Sequence, residues 1–509
     1  MSESLSQSLP IELQPPLKKG ELNVNHWIGD TWVKGDGPVF QVHSPYNGSL
    51  IGAGAAASSA LVEQALTVAE KAFEHWRWVP IKERSAVLFQ FRQLLLRDID
   101  GLSNLICSES GKIFSEARAE ILKGIEVTEF ALSLQNSDQT QKLEVSRGVS
   151  CEFRREPLGV VAAITPFNFP AMVPMWMIPI ALVAGNCLVW KPSEKVPLTA
   201  LKIAELLKQA GLPSGVFTVL HGAKDLVEAL CLNKRIQAIG FVGSSAIADK
   251  VYQMGAATHK RVLALGGAKN HLIVMPDAEP QMTAQGIVDS FTGCAGQRCM
   301  AASVLLAVGE QGNSAIESTL TLATEKASKM RLGFDMGALI SSQSLFKIRG
   351  ALERALASGS GSLRLDGRET PVPQGCEAGF WLGPTILDQV VAGSEAACDE
   401  LFGPVLSIIR VPSLSEALTI QKSNPYGNAA SVFTQSAAIA DRVMKEAHAG
   451  MIGVNIGVPV PREPFSFGGI GLSRFGHGDI TGMQGLEFWT QLKKVTSKWV
   501  MQSDQNWMS

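Results

Sequence analysis

Apolar positions recur with helical spacing over residues 60–76, again over 82–106 and once more over 112–134, so three amphipathic helices are predicted early in the chain. From 135 to 155 the pattern becomes polar and alternating, which predicts a projecting pair of strands. After Gly159, short apolar runs alternate with amphipathic stretches. Strands are predicted at 160–164, 187–190, 216–220 and 238–242, with a helix over 198–210 opened by Pro197 and closed by Gly211. A second series runs from 271 to 455, with strands at 272–275, 303–308, 404–411 and 431–434 and helices at 315–330, 343–357 and 435–448. Such alternation predicts an α/β protein whose parallel sheets are wound on both faces. The closing stretch, 486–499, alternates like a strand and is expected to dock on a neighbour.

A chain of 509 residues exceeds one ordinary core, so two or three domains are expected. Net charge is -2 without a long basic run, which gives nucleic acid nothing to bind. The uncharged stretch between Glu156 and Lys191 is long enough for a membrane span. Pro157, Pro166, Pro170, Pro174 and Pro179 interrupt it, so no membrane association is expected. Residues 1–16 are polar and contain Glu3 and Glu12 but no Arg, unlike a secretory or transit peptide. The eight cysteines are scattered, with neither a C-x-x-C pair nor clustered histidines. That pattern predicts no metal site and a reducing, cytoplasmic setting.

Chemistry concentrates in four places. In Gly293-Cys294-Ala295-Gly296-Gln297-Arg298-Cys299, a cysteine ends a small-residue turn beside a fixed cation. A neighbouring cation is expected to lower the thiol pKa and make Cys299 a nucleophile, although a buried core cysteine is the plainer alternative. Lys191-Pro192-Ser193-Glu194 follows a predicted strand, where Glu194 can hold ribose hydroxyls or simply face solvent. In Phe241-Val242-Gly243-Ser244-Ser245, Gly243 permits close backbone approach and Ser244 can meet a phosphate, or only cap a helix. Neither segment is a G-x-G-x-x-G fingerprint. Asn168, among prolines and aromatics in Thr165-Pro166-Phe167-Asn168-Phe169-Pro170, is either a turn-stabilising amide or an oxyanion donor.

These segments, joined in order by Leu265-Gly266-Gly267, Glu400-Leu401-Phe402-Gly403-Pro404 and Asn424-Pro425-Tyr426-Gly427, resemble the aldehyde dehydrogenase superfamily over residues 24–499. Residues 167–179, 266–276 and 296–301 are similar to its coenzyme A-acylating methylmalonate-semialdehyde dehydrogenase branch. The resemblance implies Cys299 as nucleophile, with the Asn168 amide and the Cys299 N–H as oxyanion donors. It implies NAD, with Lys191 and Glu194 at the adenosine ribose, Gly243 and Ser244 at the pyrophosphate, Glu400 at the nicotinamide ribose and Phe402 near the nicotinamide. A carboxylate at 194 disfavours a 2′-phosphate, hence NAD rather than NADP. Arg298 and Lys123 are expected at the substrate carboxylate, with Phe167, Phe169, Trp176 and Phe465 around it. Lys123 stands where the branch carries Arg, keeping the charge but losing the fork. Ala248 likewise replaces a customary Gly.

Hydrolytic relatives carry a water-activating glutamate two positions before the Gly266-Gly267 pair, and this chain has Ala264 there. The implied reaction is therefore oxidation of methylmalonate or malonate semialdehyde through a thioester, with loss of carbon dioxide and transfer to coenzyme A. A hydrolytic dehydrogenase of another aldehyde is the alternative reading; a non-catalytic paralogue conflicts with the intact Cys299 and Asn168. Expected domains are a cofactor domain over 1–134 and 156–263 and a catalytic domain over 264–455. An oligomerisation element over 135–155 and 484–503 and a returning loop over 456–483 complete them, in a homodimer or homotetramer.

Overall fold

The strand Val160–Ile164 is buried at every position, as a wholly apolar run must be between two helical layers. It is central to an eight-stranded sheet in this computed structural model, which describes residues 22–137 and 141–499. The expectations for 1–21, 138–140 and 500–503 lie outside the described residues.

From Val160–Ile164 the chain steps to Cys187–Lys191 and Phe217–Val219 on one side. It then returns to Ile236–Val242 and Arg261–Leu265 on the other. All five strands are parallel. Antiparallel strands close the edges: His26–Ile28 and Thr31–Val33 at one, Arg474–Gly476 at the other. Where the order of strands reverses, the two loops leaving the carboxyl ends diverge and open a crevice. Those loops carry Phe167 and Gly243. The second sheet has seven strands, parallel except for Ser362–Leu365 at its edge. Its middle strand is Ala302–Val308, which pairs with Asn270–Val274, and that strand pairs in turn with Ala429–Phe433. The fold is thus the expected α/β architecture with two doubly wound sheets.

The carboxyl ends of the first sheet face the amino ends of the second. Asn168, just beyond Val160–Ile164, donates to the carbonyl of Gln297, just before Ala302–Val308 (2.9 Å). The first sheet's cover is tied by a buried carboxylate. Glu109 accepts the free N–H groups of Leu198 (2.6 Å) and Thr199 (2.9 Å), filling the helix N-terminus that Pro197 leaves without a side-chain cap.

Several expectations need correction. The single helix over 82–106 is two, Ile81–Arg97 and Ile99–Ser110. Asp98 makes the break: its N–H still donates to Leu94, and its carbonyl already accepts from Leu102. Both helices bury one face, so the apolar period runs on across the break. Gln135 and Asn136 continue the helix Phe114–Ser137 rather than beginning a strand. In the tail, residues up to Phe488 belong to the helix Gly482–Phe488, and only Thr490–Lys498 is strand. That strand pairs with Val149–Pro157, which pairs with Lys142–Ser146, in a separate three-stranded antiparallel sheet. The three-residue strands near the amino end were too short to show a period. Among the described residues no helix is long and apolar enough to cross a membrane.

Candidate active site

The loop that carries Cys299 is irregular and is held from outside. Helix Pro280–Thr292, capped by the Glu279 carboxylate, stops at Gly293. Cys294 and Ala295 then adopt left-handed backbone (φ 54° and 52°), a conformation that costs an L-residue about 1–2 kcal/mol. Glu116, on helix Phe114–Ser137, accepts the Cys294 N–H (2.6 Å) and helps fix that kink. At Gly296 a Cβ would overlap the Gly403 carbonyl, so glycine is required for the close approach. The Gln297 side chain donates to Ala338 O (3.2 Å) and accepts from Ile340 N–H (2.9 Å). Finally the Cys299 carbonyl accepts from the amides of Asn270 (2.7 Å) and Asn428 (2.9 Å), both at amino ends of strands in the second sheet.

Cys299 opens on a cavity of about 450 Å³. Phe169, Met172, Trp176 and Phe467 form an apolar wall, with Trp176 and Phe467 stacked at 4.5 Å between ring centroids. Burial and, after it, the charge of Glu400 push the Cys299 thiol up to about 12; its own N–H and Arg298 oppose this without prevailing. Arg298 does pull the thiol down as expected, but the expected net lowering is corrected, because burial and Glu400 outweigh it. Arg298 donates from Nη2 to the carbonyls of Asp289 and Ser290 (3.3 Å), closing a helix end, and its buried Nε has no partner.

Lys123 also lines the cavity, but its ammonium is held by Glu126 (3.1 Å) and Glu463 (2.9 Å). Glu120 is likewise committed: it pairs with buried Lys112 and accepts the N–H groups of Ala171 (2.7 Å) and Met172 (3.1 Å). This anchors the loop bearing Asn168. Two aromatic expectations change. Phe465 is 74% exposed and does not line the cavity; Phe467, two residues on, does. Phe167 lies in the crevice of the first sheet, edge-on to Phe402 at 5.8 Å.

That crevice, about 480 Å³, gathers Phe167, Lys191, Glu194, Gly243 and Ser244. Buried Lys191 reaches Glu194 (3.2 Å), and each charge steadies the other against desolvation. Ser244 occupies the cap position of helix Ser245–Ala257, yet its hydroxyl makes no capping bond and remains available. A Cβ at Gly243 would collide with the Phe241 ring. Ala248 is fully buried and its N–H still donates to Ser244 O (2.8 Å), so the extra methyl leaves the first turn intact. Glu400 accepts the Ala268 N–H (3.0 Å) against Gly267, and burial raises its pKa. Phe402 is left-handed (φ 57°).

Sequence reasoning missed Asn270, Asn428, Gln297, Glu116 and Phe467. Asn270 stood inside a quoted motif, and Asn428 immediately after one. No periodicity could have marked them, since each acts through a contact distant in sequence.

The aldehyde dehydrogenase family model matches residues 32–495. Malonate-semialdehyde dehydrogenase 2 of Geobacillus kaustophilus HTA426 is 39% identical over 487 residues, covering 94% of this chain and 99% of its own. The crystal structure of methylmalonate-semialdehyde dehydrogenase from Oceanimonas doudoroffii superposes with a TM-score of 0.92 at 38% identity, over 94% of this chain and 99% of its own. A protein of Sinorhizobium meliloti 1021 assigned to the same activity, crystallised with NAD, has a TM-score of 0.92 at 34% identity, over 96% of this chain and 100% of its own.

Proposed function

The chain belongs to the aldehyde dehydrogenase family, and from that premise we propose that it is an NAD-dependent, coenzyme A-acylating dehydrogenase of malonate or methylmalonate semialdehyde. The observation that carries the acylating half is Ala264. It is fully buried on Arg261–Leu265, between Phe241 and Phe475, and places a methyl group where a hydrolytic enzyme needs a base. The substrate half is supported by relatives named for these semialdehydes.

The crevice suits NAD: Ser244 has a free hydroxyl at a helix start, Gly243 leaves the backbone bare, and Lys191 and Glu194 stand at a strand end where ribose hydroxyls bind. Bound there, NAD supplies the hydride acceptor. The protein's own groups do the rest. Cys299 attacks the aldehyde carbon, and the Asn168 amide and the Cys299 N–H stabilise the oxyanion. Loss of hydride leaves a thioester on Cys299. Its carbonyl stabilises the carbanion formed as the neighbouring carboxylate departs as carbon dioxide, and that carbanion takes up one proton from solvent to give the propionyl or acetyl thioester. The coenzyme A thiol then takes the acyl group, giving propionyl- or acetyl-CoA and freeing Cys299. Because the resting thiol is held protonated, a proton must leave before attack, and Glu400 is the carboxylate whose field it feels.

The domain limits proposed are those drawn from the sequence: 1–134 with 156–263 for cofactor, 264–455 for catalysis, and 456–483 as the return loop. The element over 135–155 and 484–503 is assigned to oligomerisation, in a homodimer or homotetramer. Its sheet exposes Leu143, Val145, Phe153 and Leu492, apolar surface that a second copy would cover. Eight unpaired cysteines fit a cytoplasmic enzyme.

Purified protein with either semialdehyde and NAD is expected to sustain NADH formation beyond a single turnover only when coenzyme A is present, with propionyl- or acetyl-CoA as product. Equal turnover without coenzyme A, giving free acid, would overturn the acylating assignment.

A further inference from the structure

We infer that Arg462, and not Lys123, is the second cation that grips the substrate carboxylate, acting with Arg298 in the Cys299 cavity. The inference rests on the functional reading above and names a specificity residue for it.

Three cations line this cavity: Lys123, Arg298 and Arg462. Their commitments differ. Lys123 lies between two carboxylates, Glu126 at 3.1 Å and Glu463 at 2.9 Å, and the Glu463 side chain is only 7% exposed. An ammonium held between two carboxylates presents no net positive charge to an incoming anion, and freeing it would strand the buried Glu463. Arg298 has Nη2 on two carbonyls and a buried Nε without a partner, while its Nη1 makes no hydrogen bond among the described residues. Arg462 is exposed and lines the same cavity; its carbonyl accepts the Phe465 N–H, and its guanidinium has no ion pair or hydrogen bond among the described residues.

The geometry of the loop links these facts. Arg462 and Glu463 are consecutive, so the residue that neutralises Lys123 also anchors the segment that brings Arg462 into the cavity lining. The chain thereby exchanges one cation for another. Lys123 becomes a tether for the 456–467 loop, while a guanidinium, whose planar fork matches a carboxylate, takes over recognition. Around it Val458, Val460 and Pro461 supply an apolar rim that weakens competition from water. Of the other carboxylates lining the cavity, Glu120 is paired with Lys112, and Glu116 accepts the Cys294 N–H and lies in the fields of Lys112 and Arg298.

The test compares two alkylating agents of equal reach, iodoacetate and iodoacetamide, following the Cys299 peptide by mass spectrometry in wild type and Arg462→Gln. Loss of a charged donor should lower the iodoacetate rate about tenfold while leaving iodoacetamide unchanged. Malonate semialdehyde should show a matching rise in KM with kcat little altered, and propanal should show no change. An unchanged iodoacetate-to-iodoacetamide ratio overturns the assignment of Arg462. Lys123→Met provides the contrast: a loss of that ratio larger than in Arg462→Gln would return the role to Lys123. Failure of the wild type to turn over either semialdehyde would instead overturn the functional reading, and the alkylation ratio would still judge Arg462.

Discussion

The cofactor crevice and the nucleophile loop face each other across the two sheets, yet they are built by opposite means. The crevice is made where regular elements end: a buried strand stops, a glycine follows, a helix begins at Ser245. The nucleophile loop has no such frame. It is held by Asn168, Glu116, Asn270 and Asn428, each more than twenty residues from the atom it binds. The difference teaches that binding a dinucleotide can follow from local rules, while aiming a thiol requires long-range tethers to override the backbone's own preference.

The comparison breaks most sharply at the nucleophile itself. Cys299→Ala is expected to reduce turnover by on the order of 10⁴-fold or more, with NAD binding by calorimetry unchanged. If the two regions were not separable, NAD affinity would fall with it.

Acid should sharpen the comparison next, because both sheets contain buried neutral histidines. Burial lowers His26 to about 4 and His221 to about 3 in the first sheet, and His271 to about 3 in the second. The rings of His26 and His221 are 5.6 Å apart, and His26 Nδ1 accepts the His221 N–H (3.0 Å). The unfolded chain takes up these protons near pH 6.5 while the folded protein resists. Stability is therefore complete above pH 6.5 and is lost as pH falls towards 4, by about 3 kcal/mol for His26 alone. Having two such groups, the first sheet should lose hydrogen-exchange protection before the second. Simultaneous loss, or no loss above pH 4, would contradict this.

Asn270→Ala removes donors to the Cys299 and Ala301 carbonyls and an acceptor for the Ala429 N–H. An expected kcat decrease of about 100-fold, roughly 2.7 kcal/mol, should appear with unchanged KM for NAD. In the crevice, Ser244→Ala should cost only about two- to threefold in NAD affinity, because the helix N-terminus remains. A Ser244 effect exceeding that of Asn270 would reverse the contrast drawn here.

Legibility in the sequence follows the same division. The strands predicted at 160–164 and 303–308 were readable because burial on both faces demands long apolar runs. Lys191, Glu194, Gly243 and Ser244 were readable because strand ends and helix starts have local chemistry. The break at Asp98 was hidden, since two helices that bury one face preserve the period. Phe465 was named and Phe467 was not, because nothing local distinguishes two neighbouring aromatics; the contact with Trp176 does. Arg298 next to Cys299 in sequence suggested an acidic thiol. Its guanidinium turns to the end of helix Pro280–Thr292, and burial with Glu400 decides the matter instead.

The central claim is that the protein forms an acyl thioester on Cys299 but cannot release it to water. Mixing enzyme, NAD and methylmalonate semialdehyde without coenzyme A, then quenching and weighing the Cys299 peptide, tests it directly. The account predicts one burst of NADH per active site and a propionyl adduct that persists until coenzyme A discharges it. Continued NADH formation with no adduct on Cys299 would contradict it.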